Sequence, residues 1–109
     1  MAEVSVLLSD GLSELYRQCR RETGYCLTHL LDLLEQYGGV EAAHRILQSE
    51  PSPDFEHLCE LRRPDLTVEA YILTLDWKEQ IFSEEELNGA RARVAFGDAQ
   101  VRSRRIAER

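Results

Sequence analysis

Apolar residues recur along this chain at helical spacing, and five separate stretches repeat the pattern. The central one runs from Leu27 to Leu47, LTHLLDLLEQYGGVEAAHRIL. Leu27, Leu30, Leu31, Leu34 and Tyr37 follow the i, i+3, i+4, i+7 rule that gathers apolar side chains on one face of a helix. Gly38 supplies a left-handed residue to end that helix, and Gly39 frees the chain to turn. Val40, Ala43, Ile46 and Leu47 form the stripe of a second helix. Neither stripe can be buried alone, so the flanking segments are expected to pack on this pair.

Upstream, residues 1–8 are open between a short strand and a helical lead-in. Leu12, Leu15, Tyr16 and Cys19 then predict a helix over about 10–22, with Ser9 or Asp10 as its N-cap and a break at Thr23-Gly24. Helices over about 27–37 and 40–48 follow. Ser52 can cap a fourth helix beginning at Pro53, where a missing N–H costs nothing. Phe55, Leu58, Cys59 and Leu61 mark its buried side, and Pro64 ends it. Thr67 is the expected N-cap of the fifth, with Leu66 and Tyr71 placed as a hydrophobic staple. Tyr71, Leu73, Leu75 and Trp77 also alternate with period two, but a lone strand would have no partner, so helix is favoured. Ser83 and Glu86 read as a capping box inside a Phe82–Leu87 staple. The sixth helix runs on through Leu87, Ala90 and Val94 and is expected to stop near Gly97. The expectation is an all-α, single compact bundle of about six short helices. Its core is drawn from Leu15, Leu27, Leu30, Leu31, Leu34, Ile46, Leu58, Ile72, Leu75 and Leu87.

Composition adds a charge asymmetry. The chain has 109 residues, 43% of them hydrophobic, and a formal charge of −7. Arg102, Arg104, Arg105 and Arg109 outnumber Asp98 and Glu108 in residues 98–109, so the acidic character belongs to residues 1–97. This division suggests a helical domain over 1–97 and a flexible arginine-rich tail over 98–109. An acidic body disfavours broad contact with nucleic acid or an anionic membrane. The three cysteines form no Cys-x-x-Cys pair, and neither a signal peptide nor a membrane-length apolar run is visible, so a cytoplasmic setting is expected.

Several short motifs occur in a fixed order: Glu22-Thr23-Gly24-Tyr25, Gly38-Gly39-Val40-Glu41-Ala42-Ala43, Asp65-Leu66-Thr67-Val68-Glu69-Ala70, Trp77, Phe82 to Leu87, and Ala90-Arg91. Together they resemble an uncharacterised bacterial all-helical domain, over roughly residues 15 to 95. The resemblance implies a bacterial or phage source and a helical fold, and it brings no activity with it. The chain departs from the pattern at Arg62-Arg63-Pro64, where a glycine-led approach without proline is more usual.

Candidate chemistry is sparse. Cys26, His29, His57 and Cys59 could be drawn as a zinc set, but their spacing lacks the paired arrangement that makes such sites recognisable. A Cys–His nucleophile pair has no local thiolate-stabilising group. The acids at Glu84 to Glu86 are explained by capping, and no phosphate-cradling loop is present. The helix after Gly38-Gly39 offers Glu41, His44, Arg45 and Gln48, a poor surface for reading a DNA groove. No catalytic residue, metal or cofactor is therefore assigned. A protein-interaction or regulatory domain is the favoured function, with another protein as partner and Tyr25, Trp77, Arg102, Arg104 and Arg105 as contact residues. A nucleic-acid-associated role for the arginine tail and a small enzyme are the alternatives.

Overall fold

A computed structural model describes the backbone of residues 2–107 and the side chains of residues 4–101. The periodic stretches form five α-helices: α1 (Ala2–Thr23), α2 (Thr28–Gln48), α3 (Pro53–Glu60), α4 (Val68–Leu73) and α5 (Glu84–Ala107). Two 3-10 turns, Pro64–Leu66 and Lys78–Gln80, lie between them. No strand occurs among the described residues, and the alternating stretch after Glu69 is helical only to Leu73. The expected six helices become five because the chain stays helical on both sides of a kink inside α2.

That kink sits where Gly38 adopts φ +79°, a conformation that costs side-chain-bearing residues. Gly39 has a different role from the turning one expected of it. A Cβ there would lie 2.7 Å from the Ser9 backbone nitrogen, so glycine is what lets α1 cross α2 at contact distance. Ser9 is accordingly an interior residue of α1, and its Oγ accepts the Gly39 N–H at 3.0 Å. Residues 2–8 are helical, and Leu8 and Leu12 are fully buried, extending the core toward the N-terminus.

At its other end α1 closes as the sequence predicts. The Thr23 hydroxyl donates to the Cys19 carbonyl, and Gly24 takes φ +78°. Ser52 caps α3 by accepting the Phe55 N–H, and Thr67 caps α4 by accepting the Ala70 N–H. The end of α3 is closed by Arg62 N–H to the Cys59 carbonyl and Arg63 N–H to the Leu58 carbonyl. Arg62 there has φ +65°, the left-handed region where glycine is more usual.

The core joins α1, α2, α3, α4 and the start of α5 through Leu12, Leu15, Leu30, Ile46, Leu58, Ile72 and Leu87. Leu31, Leu34 and Leu75, expected at full depth, are half-buried. Leu61, expected inside, is 40% exposed just beyond α3. The last helix does not stop at Gly97. Gly97 is buried, and a Cβ on it would meet the Cys59 Sγ at 3.0 Å and Pro64 at 3.1 Å. It is therefore the small residue that lets α3 and the Pro64 turn lie against α5, and the helix continues through buried Val101 to Ala107.

Candidate interaction surface

Two buried acids organise the polar interior. Asp54, on the first turn of α3, accepts the Tyr25 hydroxyl at 2.6 Å and the Leu30 N–H at 3.0 Å. Leu27, at the N-cap position of α2, offers no side-chain cap, so Asp54 satisfies that helix end from a neighbouring helix. The Tyr25 ring also stacks on His57 with centroids 4.3 Å apart. Burial and the hydrogen bond to Asp54 push the Tyr25 phenol well above its ordinary pKa. Tyr25, expected as a contact residue, thus ties the α1–α2 connection to α3.

Glu69, 1% exposed, receives a hydrogen bond from Arg93 at 2.9 Å. The same guanidinium donates to the carbonyls of Ile46 at 3.1 Å and Ser49, closing the end of α2. Burial raises the Glu69 carboxyl above its ordinary value, and the opposing pull of Arg93 does not offset it. The pair fixes α4, α5 and α2 relative to one another at an electrostatic cost.

A third polar group sits at the start of α5. Ser83 Oγ accepts the Glu86 N–H at 3.1 Å and Glu86 Oε1 accepts the Ser83 N–H at 2.9 Å, the predicted capping box. Glu86 also reaches His44 at 2.6 Å and Gln48 at 3.1 Å. Burial pushes this carboxyl up, but the bonds from His44, the Ser83 N–H and Gln48 outweigh it and hold it below the usual range.

The remaining sequence candidates are dispersed. Trp77 is half-buried against the core, preceding the Lys78–Gln80 turn. Arg102, Arg104 and Arg105 fall on the backbone of α5, with side chains outside the described residues. No group of three or more His, Cys, Asp or Glu residues among the described ones could hold a metal, so Cys26, His29, His57 and Cys59 are not assembled as a site. None of the three cysteines is in a disulfide. Burial raises the Cys19 thiol, which opposes the thiolate a nucleophile needs.

The surface feature that sequence reasoning missed is a groove of about 510 Å³ between α3 and α5. Phe55 and Cys59, each 5% exposed, form its inner side. Pro51, Ala92 and Phe96 also line it, and Glu56 and Glu60 contribute acidic side chains. Phe96 is 62% exposed, more than any other large apolar side chain described. The buried residues Leu87, Ala90, Gly97 and Val101 follow one helical register. Phe96 lies off it, and a bulky apolar residue out of register is the signal that could have identified this surface.

No family model matches the chain, and no curated protein or solved structure matches it either.

Proposed function

We propose that this chain is a non-catalytic protein-interaction or regulatory domain of a bacterial or phage system, and that its contact surface is the α3–α5 groove. The observation that carries the reading is Phe96, a large aromatic side chain left 62% exposed beside a groove lined by Pro51 and Phe55 together with Glu56 and Glu60. Aromatic side chains in such settings supply much of the affinity of protein contacts. The interhelical acids point the same way: Asp54, Glu69 and the partly buried Glu86 are each engaged in holding helices together. The bacterial or phage setting rests on the sequence resemblance alone. A cytoplasmic location agrees with three cysteines outside disulfides, and no helix among the described residues is long and apolar enough to cross a membrane.

The test compares the intact chain with Phe96→Glu in capture from a bacterial lysate, at low and high salt, with a parallel nuclease-treated sample. A protein retained by the intact chain, lost with Phe96→Glu and unaffected by nuclease supports the reading. Capture that ignores the substitution removes the groove as the surface. Capture abolished by nuclease transfers the role to the arginine-rich end and nucleic acid.

A further inference from the structure

Resting on the reading of the α3–α5 groove as a protein contact, we propose that its occupant is a basic amphipathic helix of another protein. Such a helix would set an apolar anchor against Phe96 and two cationic side chains, one turn apart, against α3. The two walls of the groove differ in kind. On α5, Gly89, Ala92, Phe96 and Gln100 follow one another at helical spacing, an uncharged row that is exposed or half-exposed. On α3, Glu56 and Glu60 are exposed one turn apart, and Phe55 and Cys59 beside them are buried. Arg93 also lines the groove, but its guanidinium is committed to Glu69 and to the carbonyls of Ile46 and Ser49. Like charges at i and i+4 destabilise a helix, and an acid in the last turn opposes the helix dipole. Glu60 does both, and His57, 3.9 Å from it, is a counterion only when protonated. Two cations one turn apart on a partner helix would match the acid pair and offset both costs.

The form of the occupant follows from the walls. Both are helices with their backbone groups bonded internally, and no strand occurs among the described residues, so a peptide has no sheet edge to extend. Affinity must come from side chains, as it does when an amphipathic helix lies in a groove. The eight residues of α3 make a wall of about 12 Å, or about two helical turns. A volume of about 510 Å³ suits an apolar anchor and its flanks. An acidic peptide or a phosphate backbone would be repelled by Glu56 and Glu60, and by the acidic character of residues 1–97 as a whole.

Selection from a random peptide display library on the intact chain, followed by fluorescence anisotropy of the peptides recovered, tests the proposal. The expected peptides carry Lys or Arg at i and i+4 beside a large apolar residue, gain helical circular dichroism on binding, and bind more weakly as salt rises. Phe96→Ala should weaken them at least about tenfold. Glu56→Gln with Glu60→Gln should weaken them about fivefold at low salt and flatten the salt dependence. If that pair lowers the urea midpoint, Glu56→Gln alone serves, with an expected loss of about twofold. Asp32→Asn with Glu35→Gln makes the same change of charge on exposed positions of α2 outside the groove, and should leave binding unchanged. The proposal is overturned if no peptide is recovered, if those recovered are acidic or uncharged, or if the α2 variant loses as much affinity as the α3 variant. Peptides lost with Phe96→Ala but indifferent to Glu56 and Glu60 sink the basic occupant and leave the groove reading standing. Peptides indifferent to Phe96 as well remove the groove. Self-association of the intact chain that is abolished by Phe96→Ala would make a second copy the occupant and likewise overturn the proposal.

Discussion

Replacing Arg93 with Met would leave Glu69 buried without its cation and two carbonyls at the end of α2 without their donor. Breaking a buried pair from one side costs about 3–5 kcal/mol, so the expected outcome in urea unfolding is a loss of that order. The pH dependence has a definite sign. Burial already raises the Glu69 carboxyl, so its favourable contribution is fullest below the ordinary glutamate value and is lost as pH rises through the folded one. Without Arg93 the carboxyl rises further, so the deficit of Arg93→Met should narrow as pH falls from the variant's folded value to that of the intact chain, both above the ordinary glutamate range, and stay constant below. Glu86 has the opposite sign. Its carboxyl is depressed in the fold, so its contribution is present above the ordinary value and lost as pH falls through the folded one. The stability advantage of the intact chain over Glu86→Gln should therefore fade below about pH 4 in acid titrations followed by circular dichroism. None of these long-range partners was legible in the sequence. Glu69 looked like a helix-start acid, and nothing local announced that Arg93, 24 positions away, would be its counterion.

The elements themselves were more legible, wherever their ends are written in neighbouring residues. Ser52, Thr67 and the Ser83–Glu86 box are local signals, and each forms as the sequence predicts. Ser83→Ala should lower stability by about 0.5–2 kcal/mol in urea unfolding. An unchanged midpoint and slope would show that the box contributes nothing. The misread ends were those set by packing. Ser9 resembles an N-cap, yet Leu8 fits the buried face of α1 and carries the helix past it. Gly97 resembles a C-terminal stop, yet the close presence of Cys59 and Pro64 makes it a packing residue within a continuing helix. Gly38, like Gly24, ends a straight segment by its own backbone. Gly38→Ala should cost about 1–2 kcal/mol, because its φ of +79° is strained for any residue with a Cβ.

For the molecule as a whole, the all-helical fold and much of the core followed from periodicity, because apolar spacing reports which face is buried without naming the neighbour. The groove did not follow, since it needs α3 and α5 side by side and they are joined through two turns and α4. The length of α5 has a direct test. Val101 is buried, so truncation after Gly97 should lower the urea midpoint, at a cost on the order of 1.5–3 kcal/mol for a fully buried valine. The capping of α2 has another consequence. One of its segments begins on an N–H held by Asp54 of α3, and the other on an N–H held by Ser9 of α1. An excised peptide spanning α2 would lack both donated acceptors and much of its apolar cover, and should be largely unstructured in water. Severing the chain near Glu50, in the connection between α2 and α3, would put Asp54 and the helix it stabilises on different polypeptides. The two fragments should therefore be poorly ordered apart and gain helix on mixing, a complementation in which each piece acts as the template for the other.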